Sequence, residues 1–126
     1  PEERALNKRI ADALRKAGIG VYLPQETGDF GKETKSRQYY FDKDIKALNS
    51  SDLMLAIFNG RVPDEGMAFE VGYFNALKKP VYSLYSDDRS FMKGYLNIML
   101  EYGSKLIFKN ETTAVGYLIY KSKNPD

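Results

Sequence analysis

Leu53-Met54-Leu55-Ala56-Ile57-Phe58 is a run of six residues with no polar side chain, set between Ser50-Ser51-Asp52 and Asn59-Gly60. A short uninterrupted apolar run bounded by turn residues reads as a strand buried on both faces, the condition of strands in parallel sheets. It delivers the loop Asn59-Gly60-Arg61-Val62-Pro63-Asp64-Glu65-Gly66, and Met67-Ala68-Phe69-Glu70-Val71-Gly72-Tyr73 then opens a helix running to about residue 77, ended by Lys78-Lys79-Pro80.

The same alternation extends outward from this unit. Upstream, Leu6, Ile10, Ala13, Leu14 and Ala17 fall at helical spacing with Gly18 in the place of a C-terminal cap, so residues 1–17 read as an amphipathic helix. Residues 19–23, closed by Pro24, read as a strand, residues 25–36 as a mobile loop, and residues 37–49 as a helix broken by Ser50-Ser51. Downstream, strands are expected over 81–85 and 105–108, and helices over 91–102 and 112–120. Helices alternating with strands across short connections specify a doubly wound parallel sheet covered on both faces, with ligands at the carboxyl ends of the strands. A doubly wound sheet places its first strand centrally, yet the series begins with a helix; a strand is therefore expected either N-terminal to Pro1 in the native protein or supplied otherwise.

Composition narrows the chemistry. The 126 residues contain no cysteine and no histidine, which excludes Ser–His and Cys–His nucleophile pairs, ordinary zinc sites, disulfides and redox thiols. Carboxylates, hydroxyls, amides, Lys and Arg remain. Nineteen Lys and Arg against seventeen Asp and Glu give a net charge of +2, too balanced to point to nucleic acid or a membrane surface. The length fits a single domain over 1–126. No apolar run approaches a membrane span and no signal sequence opens the chain, so a cytoplasmic protein is expected.

A strand-to-helix turn of a doubly wound fold is where a site is sought, and Glu70 stands on it. Read in the first helical turn, its carboxylate is favoured in the ionised form by free backbone N–H groups and the helix dipole, as suits a nucleophile or base. The alternative is a capping-box glutamate at N3 with a structural role only. Apolar Phe69 and Val71 on either side, which read as packing this turn closely, and Asp64 six residues earlier favour the functional reading, since two carboxylates at a strand end are the equipment of glycosyl chemistry. Asp44, on the helix before the buried strand, is a third candidate; otherwise it is a solvated helix residue. Neither G-x-G-x-x-G nor a P-loop occurs, so Gly60 and Gly66 do not indicate a dinucleotide or nucleoside triphosphate.

The segment from Asp64 to Tyr73, followed by Ala76-Leu77-Lys78-Lys79-Pro80-Val81, resembles the signature of the nucleoside 2-deoxyribosyltransferases, and Asp44-Ile45-Lys46-Ala47-Leu48-Asn49-Ser50-Ser51-Asp52-Leu53-Met54-Leu55 resembles the helix and strand before it. The resemblance covers about residues 37–103. It implies a flavodoxin-like, Rossmann-like fold and base exchange between 2′-deoxynucleosides in nucleoside salvage. Glu70 would be the nucleophile that holds the sugar as a covalent glycosyl-enzyme, while Asp64 and Asp44 would bind the nucleobase and assist its protonation. In Tyr95-Leu96-Asn97-Ile98-Met99, Asn97 would reach the 5′-hydroxyl in a neighbouring subunit's site, with Met99 in the pocket. Gln25 resembles a base-contacting Gln, and Gly66 falls among the substrate-binding positions. A homo-oligomer, dimer or hexamer, is implied, as is chemistry without metal or cofactor. The chain departs from the family at its front end, where members start with a strand and a Gly- and aromatic-containing loop.

Two other readings remain. A hydrolase of the same fold, acting on nucleoside 5′-monophosphates, would require Ser, Arg or a helix N-terminus around a phosphate, whereas Asn97 favours transfer. A non-catalytic flavodoxin-like binding domain would leave Glu70 as an exposed cap.

Overall fold

The computed structural model describes residues 2–26, 35–58, 65–85 and 98–125, which fall into two compact units, one of residues 1–51 and 119–126 and one of residues 52–118.

In the first unit, α1 (Glu2–Lys16) buries Ile10, Ala11 and Leu14, the stripe that 3.6-residue periodicity brings to one face. Gly18 ends it as expected. At φ +88° it takes the left-handed conformation, its N–H bonds the Arg15 carbonyl at 2.9 Å, and the Ile19 N–H bonds the Leu14 carbonyl at 3.1 Å, the paired bonds of a Schellman cap. The run over 19–23 is not a strand; it lies outside helix and sheet and leads into a 3-10 turn, Pro24–Glu26. An apolar β-branched run becomes a strand only when a neighbour accepts its backbone groups, and no ladder to these residues exists among the described residues. Side chains of α1 hold the segment instead. Arg15 donates to the Val21 carbonyl at 2.9 Å and to both carboxylate oxygens of Glu26 at 2.8 and 2.6 Å.

α2 (Arg37–Ser50) starts on Ser36, whose hydroxyl accepts from the Tyr39 N–H at 3.1 Å. It stops at Ser51, whose N–H and hydroxyl both bond the Ala47 carbonyl, at 3.0 and 2.7 Å. The side chains of Ser50 and Ser51 thus compete with the backbone where the sequence places the helix break.

The second unit is built on β1 (Met54–Phe58), α3 (Glu65–Ala76), β2 (Val81–Tyr85), α4 (Ile98–Tyr102) and β3 (Leu106–Phe108), with the first part of α5 (Glu111–Lys123). The strands form one parallel sheet in the order β1-β2-β3, Met54 to Phe58 facing Val81 to Tyr85 and Tyr82 to Leu84 facing Leu106 to Phe108. Parallel strands with helices in each connection make the flavodoxin-like α/β architecture expected from the alternation.

Burial follows strand position. β2, with a neighbour on each side, is buried at all five residues, whereas β1, at the edge of this sheet, buries only Ala56 and Phe58 fully. The strand buried on both faces is therefore 81–85 rather than 53–58. Phe74 and Val71 of α3 and Ala114 and Leu118 of α5 complete the core, and the Tyr117 ring lies 5.5 Å from that of Tyr82 and 5.4 Å from that of Phe108. Burial pushes the Tyr82 phenol above the ordinary tyrosine range, and its hydrogen bond with Tyr117 adds to the rise. Ser83, the buried polar residue of this core, is 0% exposed. Its hydroxyl lies 2.7 Å from that of Ser104, which donates to the Leu100 carbonyl at 2.6 Å. With the Ser104 proton committed to Leu100, Ser83 is the donor to Ser104, and both hydroxyls are satisfied.

α5 begins where Asn110 accepts from the Thr113 N–H at 2.8 Å. No helix among the described residues is long and apolar enough to cross a membrane.

Candidate active site

The carboxyl ends of β1 and β2 lead into residues 59–64 and 86–97, the positions where a doubly wound sheet carries its ligands. Both segments, and with them Asp64 and Asn97, lie outside the described residues. α3 follows the first of them and places Gly66 and Glu70.

The helix opens at Glu65, two residues before the expected Met67. Glu70 is consequently its sixth residue. It sits in the second turn and is neither an N3 capping glutamate nor a first-turn residue, so the free N–H groups and the dipole act on Glu65 and fade before Glu70. What defines Glu70 is its face. At about 100° per residue it falls between a buried stripe of Val71 and Phe74 and an exposed one formed by Phe69, which stacks on Tyr73 with ring centroids 6.2 Å apart. The side chain is half-buried, at the margin of the core. A carboxylate there stands at the boundary between core and surface. Phe69 itself is exposed rather than packed, contrary to the close packing expected of both neighbours of Glu70.

α4 carries Met99, 76% exposed, with Ile98 and Tyr102 exposed beside it and Leu100 buried. The Asn75 side chain of α3 fixes its C-terminus, donating to the Gly103 carbonyl at 2.9 Å and to the Val71 carbonyl at 2.9 Å. A Cβ on Gly103 would stand 2.7 Å from the Met99 carbonyl oxygen, so glycine is required for this approach. Lys109, immediately after β3, lies 5.0 Å over the Tyr85 ring at the end of β2.

The first unit places the other candidates. Asp44, half-buried on α2, accepts a hydrogen bond of 2.5 Å from the Tyr22 hydroxyl. Gln25 accepts from Asn7 at 3.2 Å and donates to the Arg4 carbonyl at 3.0 Å. These two bonds hold the segment of Gln25 to α1. Tyr22 was not singled out by sequence; the only signal was its place two residues before Pro24, at the end of the run. No group of three or more Asp and Glu residues placed to hold a metal ion occurs among the described residues.

The chain is similar to a 2-deoxyribosyltransferase from the psychrotolerant bacterium Bacillus psychrosaccharolyticus, with 22% identity and a TM-score of 0.77 over 91% of this chain and 82% of that one. A conserved protein from Enterococcus faecalis V583 aligns at 21% identity and TM-score 0.74, over 89% of this chain and 86% of that one. A 2-desoxiribosyltransferase from Leishmania mexicana aligns at 18% and 0.68, over 93% and 87%. At these identities the likeness shows the fold. No curated protein matches by sequence. The sequence pattern that defines the nucleoside 2-deoxyribosyltransferases matches residues 1–125, nearly the whole chain, and on that match the chain belongs to the nucleoside 2-deoxyribosyltransferase family.

Proposed function

We propose that the protein exchanges nucleobases between 2′-deoxynucleosides by a retaining double displacement, as a single domain over 1–126 serving nucleoside salvage in the cytoplasm. The observation that carries this is the family match over residues 1–125. In the first displacement, a Glu70 carboxylate oxygen attacks C1′, the C1′–N bond breaks, and its electron pair leaves with the base, which takes a proton from an aspartate, Asp64 or Asp44. The sugar stays on Glu70 as an ester. In the second, a ring nitrogen of the incoming base attacks C1′ from the face the first base left, the aspartate takes up a proton, and the Glu70 carboxylate is released. Asn97, Met99, Gln25 and Gly66 are assigned to substrate binding, Asn97 across a homo-oligomer contact. The half-buried position of Glu70 at the edge of an apolar stripe suits a nucleophile that must be held still yet reach a ligand.

The test is to incubate the full-length protein with deoxyinosine, with and without adenine, and resolve the products by chromatography. Deoxyadenosine formed only with adenine supports transfer. Free hypoxanthine alone indicates hydrolysis, and no product at all favours a binding domain. Glu70→Ala is expected to lower exchange by several orders of magnitude without unfolding the chain; wild-type exchange in that variant overturns the nucleophile assignment.

A further inference from the structure

The run over 19–23 is not a strand, yet it is pinned. Arg15 holds the Val21 carbonyl just before Tyr22 and the Glu26 carboxylate after it, while Gln25 is tied to Asn7 and to the Arg4 carbonyl. The backbone on either side of Tyr22 is therefore fixed to α1, and the phenol is carried to α2, where its oxygen stands 2.5 Å from Asp44 Oδ1. That distance is at the short, charge-assisted end for O–H···O⁻ bonds. The phenol is the donor, since an ionised carboxylate only accepts.

A carboxylate has a soft terminal torsion, so an aspartate on a helix surface samples many orientations. Binding Oδ1 to a fixed phenol removes that freedom and leaves Oδ2 to accept from a ligand N–H. We propose that Tyr22 is a positioning residue for nucleobase recognition, its hydroxyl presenting the Asp44 carboxylate to the hydrogen-bonding edge of the base. This rests on the reading of Asp44 as a base-contacting aspartate. The N-terminal helix thus acts on base recognition through the chain Arg15, residues 21–26, Tyr22 and Asp44.

The experiment compares wild type, Tyr22→Phe, Asp44→Asn and the double variant in exchange of adenine into deoxyinosine, reading kcat, KM for adenine and the melting temperature. Tyr22→Phe keeps the ring and removes only the hydroxyl. It is expected to raise the KM for adenine about tenfold, the worth of one hydrogen bond to a charged group, with the melting temperature unchanged. The double variant is expected to be no worse than Asp44→Asn alone, because both changes remove the same interaction. Wild-type kinetics in Tyr22→Phe, a loss confined to kcat, or effects that multiply in the double variant would overturn the proposal while Asp44→Asn remains impaired. If Asp44→Asn exchanges normally, the reading of Asp44 fails and the proposal with it; if wild type exchanges no bases, the functional reading itself fails.

Discussion

Two helix ends in this chain are built alike and lead to opposite results. α1 closes with the N–H groups of Gly18 and Ile19 on the Arg15 and Leu14 carbonyls, and α3 closes with those of Lys78 and Lys79 on the Asn75 and Phe74 carbonyls, at 2.9 and 3.3 Å. Each has a residue of positive φ at the turn, Gly18 at 88° and Lys78 at 60°. Each is followed by a mostly apolar run of similar length, Ile19-Gly20-Val21-Tyr22-Leu23 and Val81-Tyr82-Ser83-Leu84-Tyr85. The second run is the middle strand of the sheet, paired on both sides and buried throughout. The first pairs with no strand among the described residues and is held by Arg15 and Gln25. Like exits from a helix therefore do not decide the structure of the next segment; its neighbours in space do.

The contrast can be broken from the sheet side. Phe74, 0% exposed, stands on α3 at the bond that closes the helix, and Phe74→Ala is expected to destabilise the protein by about 3–5 kcal/mol, measured by urea unfolding. Ser83→Ala removes the donor to Ser104 but leaves Ser104 bonded to Leu100, so the loss is expected near 1 kcal/mol. The cap can be sharpened: Lys78→Gly relieves a left-handed lysine and is expected to stabilise by about 0.5–1 kcal/mol, whereas Gly18→Ala should destabilise by a comparable amount.

On the other side, Arg15→Met is expected to change global unfolding least. It should speed amide exchange over residues 19–26 while leaving the amides of 81–85 protected. Acid should act in the same way. The guanidinium of Arg15 holds the Glu26 carboxyl below the ordinary glutamate range, chiefly by their hydrogen bond. That tether is fully present above the ordinary glutamate value and is lost as the pH falls through the depressed one, so faster exchange over 19–26 below about pH 4 is the expected sign. Equal acceleration over 81–85 would contradict the separation of the two runs.

Helices were legible in the chain because their signal is local. The expected 37–49 and 112–120 correspond to Arg37–Ser50 and Glu111–Lys123, with Ser36 and Ser51 as caps of the first. The start of α3 was not. Glu65 and Gly66 carry the composition of a loop, yet the helix begins there, and a weak propensity yields to tertiary context. That shift moves Glu70 into the second turn and replaces a dipole argument with a packing one. Of the candidate site, the residue types and their spacing were readable, but the hydrogen bond of Tyr22 to Asp44 joins residues 22 apart in sequence, and the engagement of Gln25 with Arg4 spans 21. No periodicity reports such partners.

The sequence by itself determined most of the helices, the absence of cysteine and histidine chemistry, and the family, because apolar period, composition and motif are properties of neighbouring residues along the chain. Only the tertiary structure decided which apolar run became a strand, which strand lay in the middle, and which face of α3 carries Glu70. A strand is completed by another segment's backbone and a half-buried position by other elements' side chains, and both are supplied across space.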